Sequence, residues 1–140
     1  MMAADGAVRM GSTRVPRSPK MWRLKDCIVG IAGDLRAGEV FAEWLVRREG
    51  PRPPGGGYDA LCLYRDGRIS WWTGKHKETF ITEDFYAIGS GGDFAMGAFE
   101  ALADMGLPMD PRVAVRSAIK RDAFSEGPVH MLRWLNNGAT

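Results

Sequence analysis

Twice along the chain a short apolar run meets a glycine-bearing turn and then a segment with apolar residues at helical spacing. The first is Cys27 to Ala32, closed by Gly30 and Gly33, followed by a predicted helix over 37–48 with Val40, Phe41, Trp44 and Leu45 on one face. The second is AIGSGGDFAMGAFEAL, residues 87–102. There Phe85, Ala87 and Ile88 read as the end of a buried strand, and Gly89, Gly91 and Gly92 permit a tight turn. A helix follows, whose stripe of Phe94, Ala98, Phe99, Leu102 and Met105 is predicted to pack inward. Between the two units, ALCLY and ISWW flank Asp66-Gly67, a strong hairpin signal, and place Trp71 and Trp72 on opposite faces.

The intervening pieces are less regular. Residues 1–10 read as a strand end, a turn at AADG and a second short strand. GPRPPGGG forms a surface loop, and the polar run 73–84 a connection. Asp110 and Pro111 occupy the N-cap and first position of a third helix, and Val129–Leu135 is a closing strand candidate. Strands and helices mix without regular βαβ alternation, which predicts an α+β fold over a doubly wound sheet.

Composition narrows the function classes. At 140 residues and 45% hydrophobic, the chain suits a single domain spanning 1–140. A formal net charge of +2 with interspersed signs gives no footprint for nucleic acid or an anionic membrane. No apolar run is long enough to span a bilayer and the start lacks a secretory layout, so a cytoplasmic location is expected. Cys27 and Cys62 sit in apolar strands and read as buried reduced thiols, while His76 and His130 lack ligand-like neighbours. No metal or cofactor is expected. GSGG lacks the lysine and spacing of a P-loop and is not GxGxxG, which argues against a nucleotide. Ser90, alone among those glycines, either caps the turn or faces a site.

Five runs, MAADGAVRMGSTR, KMWRL, IVGIAGD, AIGSGGDFAMGAFEAL and RDAFSEG, stand in one order from Asp5 to Gly127. In these the chain resembles the proteasome β-subunit family, above all its HslV-type peptidases and their phage and proteobacterial relatives. The resemblance implies an αββα four-layer sandwich, the N-terminal nucleophile (Ntn) hydrolase fold. It implies a threonine-type peptidase assembled as a homo-oligomeric ring, acting on polypeptides in a chamber, with an AAA+ unfoldase as a further partner. In that family an N-terminal threonine hydroxyl attacks and its own α-amine, with an ordinary pKa of about 8, takes the proton. By resemblance Asp5 pairs with the site lysine, Lys20 is that lysine, and Gly30 offers a backbone N–H to the oxyanion. Ser90 bonds the terminal amine, and Asp122 and Ser125 brace it.

One element of the pattern is absent. No threonine precedes Asp5, and Thr13 cannot become a chain start without removing Asp5. Two readings follow: a start upstream of Met1 that carries the nucleophile on a first strand missing here, or a degenerate, non-catalytic scaffold subunit of the same fold. Hydrolysis of a small amide is a third, since Ntn hydrolases share nucleophile and fold across substrates. On either of the first two, the 140-residue chain is expected to be inactive.

Overall fold

A computed structural model describes residues 1–4, 9–10, 13–14, 20–53, 56–73, 78–125 and 129–134. In chain order the elements are β1 (Met2–Ala4), β2 (Arg9–Met10), β3 (Thr13–Arg14), β4 (Met21–Arg23), β5 (Cys27–Gly33) and α1 (Leu35–Arg47). There follow β6 (Tyr58–Tyr64), β7 (Ile69–Thr73), β8 (Thr79–Ile81), α2 (Gly92–Asp104), α3 (Pro111–Arg121) and β9 (His130–Leu132).

β4 to β8 form an antiparallel five-stranded sheet in sequence order, β1 pairs with β9, and β2 with β3. Val29 opposes Cys62 and Ala60 opposes Trp72, so the pleat gathers Cys27, Val29, Ile31, Tyr58, Ala60, Cys62 and Trp72 on one face. α1 closes that face with Phe41, Ala42 and Leu45, giving the main core. Gly38 lets the helix lie on the strand, since a Cβ there would stand 2.3 Å from Ile31 Cγ2. Phe41, fully buried, sits 5.3 Å from the Trp72 ring and 5.5 Å from that of Tyr58. Asp34 caps α1 by accepting from Ala37 N at 3.1 Å, so the helix starts two residues before the apolar spacing suggests.

The opposite face carries Ile28, Gly30, Leu61, Leu63 and Ile69. It looks toward β1 and the α2–α3 hairpin, where Ala95, Phe99 and Ala114 form a second, smaller core.

Four expectations are corrected. Phe85–Ile88 joins no ladder among the described residues; it is half-buried and held by side chains, with Phe85 stacked on Phe99 at 5.1 Å and Tyr86 near Trp71 at 5.9 Å. The polar run 73–84 contains β8, which the exposed edge of the sheet recruits by pairing with β7. α2 is also rotated from its predicted stripe. Ala95 and Phe99 point inward, because alanines allow α3 to approach closely, while Phe94 and Met105 are 43% and 71% exposed. The closing strand is only His130–Leu132, the length that β1 can pair. The helix of the third prediction starts as expected, with Pro111 first and Asp110 accepting from Arg112 N at 2.9 Å. No helix among the described residues is long and apolar enough to cross a membrane.

Candidate active site

The second face of the sheet does not close directly on the α2–α3 hairpin. Between them lies a cavity of about 590 Å³, bounded by β1, the sheet, the 84–90 segment and the inner sides of both helices. Most of its wall is apolar, but Lys20, Ser90 and Ser125 line it too.

Ser90 and Ser125 meet at one carboxylate. Ser90 Oγ donates to Asp122 Oδ2 at 2.7 Å and Ser125 Oγ donates to the same oxygen at 2.6 Å. Local chemistry builds this. α3 ends at Asp122, whose N–H donates to Ala118 O at 2.7 Å, and Ser125 follows in the next turn. The start of α2 is brought against that end because residue 91 is glycine. A Cβ there would stand 2.8 Å from the Ala118 Cβ and 2.9 Å from Ser125 Oγ. The Ser125 hydroxyl, then that of Ser90, holds the Asp122 carboxyl below its ordinary 3.8. Ser90 therefore bonds across to α3 and does not cap α2, whose N-cap is Gly91 without a side-chain bond.

On the far wall, Lys20 precedes β4 and its carbonyl accepts from Ile31 N at 2.8 Å. Gly30 lies mid-strand, opposite Met21 and Leu61, and a Cβ on it would come within 2.9 Å of Met2 Sδ. Backbone N–H directions alternate along a strand. Because Ile31 N points to the β4 side, Gly30 N points to β6, where Leu61 pairs with it. Gly33, two residues after Ile31, directs its N–H to the β4 side, beyond the end of β4, and lines the cavity. Its φ of +100° and a Cβ position 2.2 Å from Gly57 O demand glycine. Gly33 stands at the end of β5, beside the Asp34 cap of α1, three residues beyond the Gly30 expected from the sequence. Gly89, with φ +94°, sits against Ala32, so the two glycine turns are neighbours at one rim of the cavity.

The structure thus gathers Lys20, Gly30, Ser90 and Ser125 around one cavity, with Asp122 behind the serines. Asp5 lies outside the described residues, as does His76; the strand before Asp5, β1, lines the cavity. Cys27 and Cys62 are free and buried on the α1 side of the sheet. The neighbouring Cys27 thiol together with burial pushes the Cys62 thiol up.

No protein-family model matches the chain, and no curated protein matches it by sequence. Solved structures do. BPH of Thiobacillus denitrificans in complex with epoxomicin superposes with a TM-score of 0.70 at 21% identity, over 91% of this chain and 88% of that one. A second structure of Thiobacillus denitrificans BPH gives 0.69 at the same identity and coverage. A eukaryotic HslV from Trypanosoma brucei gives 0.65 at 24% identity, again over 91% and 88%. The chain has the HslV-type fold. Within that fold, the observed mixture of helices and antiparallel sheet agrees with the α+β class expected from the sequence.

Proposed function

We propose that this chain is the body of an HslV-like, threonine-type peptidase subunit whose nucleophile lies on a strand preceding Met1. The observation that carries the reading is the cavity. Its wall bears Lys20, Gly33, Ser90 and Ser125, and it is flanked by β1, whose one ladder partner among the described residues is β9, and by Phe85–Ile88, which has none among them. A strand entering there would bond both segments and deliver its first residue to the polar end. With β1 and β9 it would extend the small second sheet, completing the four layers of α1, two sheets and α2–α3.

The chemistry follows from the groups present. A threonine hydroxyl at that end would attack a peptide carbonyl while its α-amine, with an ordinary pKa of about 8, takes the proton. Lys20, as a neighbouring cation, would lower the amine's proton affinity. The Ser90–Asp122–Ser125 cluster offers hydroxyl oxygens and a carboxylate that accept hydrogen bonds from that amine. The Gly33 N–H is better directed than that of Gly30 to meet the developing oxyanion, where one preorganised donor is worth roughly 3 kcal/mol. Ring assembly around a chamber, polypeptide substrates, a cytoplasmic setting and an AAA+ unfoldase partner belong to the same reading.

The experiment is N-terminal sequencing and intact mass of the protein from its native source, followed by peptidase assay of that species. A mature start at an upstream Thr, with hydrolysis of fluorogenic peptides abolished by Lys20→Ala, supports the peptidase. The 140-residue chain is expected to show no such activity. Met1 lines the cavity and the Met2 thioether lies over Gly30. A native start at Met1 or Met2 would therefore favour the second reading, a non-catalytic assembly subunit.

A further inference from the structure

The face of the sheet that packs on α1 holds two thiols that the cavity and its chemistry do not use. Cys27 opens β5 and Cys62 lies within β6. Cys27 opposes Tyr64 while Val29 opposes Cys62, so the cysteines stand two residues apart on neighbouring strands with their side chains on one face. Both are free, 3% and 0% exposed, in the main core. Their thiols hydrogen-bond to each other with Cys62 donating, which lowers Cys27 from its ordinary thiol range and raises Cys62. The Arg48 guanidinium also favours a thiolate at Cys27, against the Asp26 and Glu78 carboxylates. The Tyr64 phenol stands between the last two elements, accepting from Arg48 Nη2 at 3.5 Å and donating to Glu78. Ser70 stands opposite Cys62 on β7, is fully buried, and its hydroxyl has no hydrogen-bond partner among the described residues. A buried hydroxyl ordinarily finds one.

We propose that Cys27 and Cys62 form a two-sulfur site for a soft monovalent cation, copper(I). The ligand set selects the ion. Structural zinc takes four ligands and iron–sulfur clusters four cysteines, whereas no group of three or more His, Cys, Asp or Glu side chains that could hold a metal exists among the described residues. A pair of thiolates suits copper(I), which soft sulfur ligands select. Residues diagonal across two strands stand roughly 7–8 Å apart at Cα, which fits a sulfur–metal–sulfur bridge better than a direct disulfide. On binding, each thiol releases its proton to solvent and each sulfur forms one bond to the ion; no electron changes hands and copper stays in the +1 state. The bridged pair carries one net negative charge, which the Arg48 guanidinium offsets. The Ser70 hydroxyl gains in the Cys62 thiolate the acceptor it lacks. Cys27 provides the way in, as the first residue of its strand, next to the exposed Lys25 and Asp26. The site lies across the sheet from the polar end of the cavity, so it holds whether or not the chain belongs to a working peptidase.

The test is titration of the full chain with copper(I), kept reduced and free of oxygen, against a bicinchoninate competitor, with X-ray absorption at the copper edge on the loaded protein. The unaltered chain is expected to take up a single copper ion held by two sulfurs. Because two protons leave, its association constant is expected to rise by up to about a hundredfold per pH unit while both thiols are protonated. Cys27→Ser and Cys62→Ser, each checked for native near-UV circular dichroism, are expected to bind at least about a hundredfold more weakly, and Ser70→Ala about tenfold. Met1, Met2, Met21 and Met109, which line the cavity, are another group of soft donors. Thioethers carry no proton to release. Copper uptake that is independent of pH and survives both cysteine variants would assign the ion to those methionines and overturn the proposal. Failure of the unaltered chain to compete for copper, or a copper shell of nitrogen and oxygen, would overturn it as well. Stoichiometry, pH dependence and copper shell are all read on the unaltered chain, so a variant that does not fold leaves the proposal open to refutation.

Discussion

Asp122 is the residue on which the polar end of the cavity turns, because one of its oxygens accepts from two serines that come from different elements. Its carboxyl is held below the ordinary 3.8 by those hydroxyls. A carboxyl whose folded value is depressed contributes stability above its unfolded value and loses it as pH falls through the folded value. The chain is therefore expected to become less stable below about pH 4, and Asp122→Asn to flatten that acid limb. Thermal melts across the acid range, parent against variant, check this; parallel curves would contradict it. Asp122 is partly exposed, so the effect is read as a difference in slope.

At the scale of elements, the closest fit is α1 on β5. Gly38 is a helix-interior glycine, which ordinarily weakens a helix by about 1 kcal/mol relative to alanine. Here the expected sign reverses. A methyl at 38 would meet Ile31 Cγ2 at 2.3 Å and Cγ1 at 2.9 Å, both in the main core. Gly38→Ala is expected to destabilise by about 1–3 kcal/mol despite its better propensity. Urea unfolding with an unchanged slope but a lower midpoint verifies it. α2 and α3 are joined by the same device in a different form, with Ala95, Ala114 and Ala118 as the small residues between them and Gly91 at the crossing with Ser125.

For the whole molecule, the cavity is the feature that sets behaviour. An apolar space of about 590 Å³ beside β1 leaves the sheet and α2–α3 less tightly joined than the sheet and α1. A native species extended upstream of Met1, with its added strand in that space, is expected to melt at a higher temperature than the 140-residue chain. It is also expected to lose the chain's binding of an apolar fluorescent dye, since filling a void recovers contacts that its lining lacks. Differential scanning calorimetry and dye titration on the two species decide this. Equal melting temperatures and equal dye binding would argue that the added residues lie elsewhere.

Short-range chemistry was legible without coordinates. The hairpin at Asp66-Gly67, the cap at Asp110 with Pro111 behind it, the opposed Trp71 and Trp72 and the buried thiols all follow from residues within a few positions of one another. Periodicity also placed α1 and α2 to within a few residues. What the sequence could not decide depends on distant partners. The rotation of α2 depends on which of its faces α3 can approach, β8 exists because β7 offers an edge, and Phe85–Ile88 stays out of a ladder because no described strand lies beside it. The site divides in the same way. Ser90 and Asp122 were singled out along the chain, yet the carboxylate shared with Ser125, the direction of the Gly33 N–H and the cavity joining them to Lys20 required the tertiary structure. Hydrogen bonds and close approaches between residues 32 or 71 positions apart are set by packing, and a linear pattern carries only the residues that packing can use.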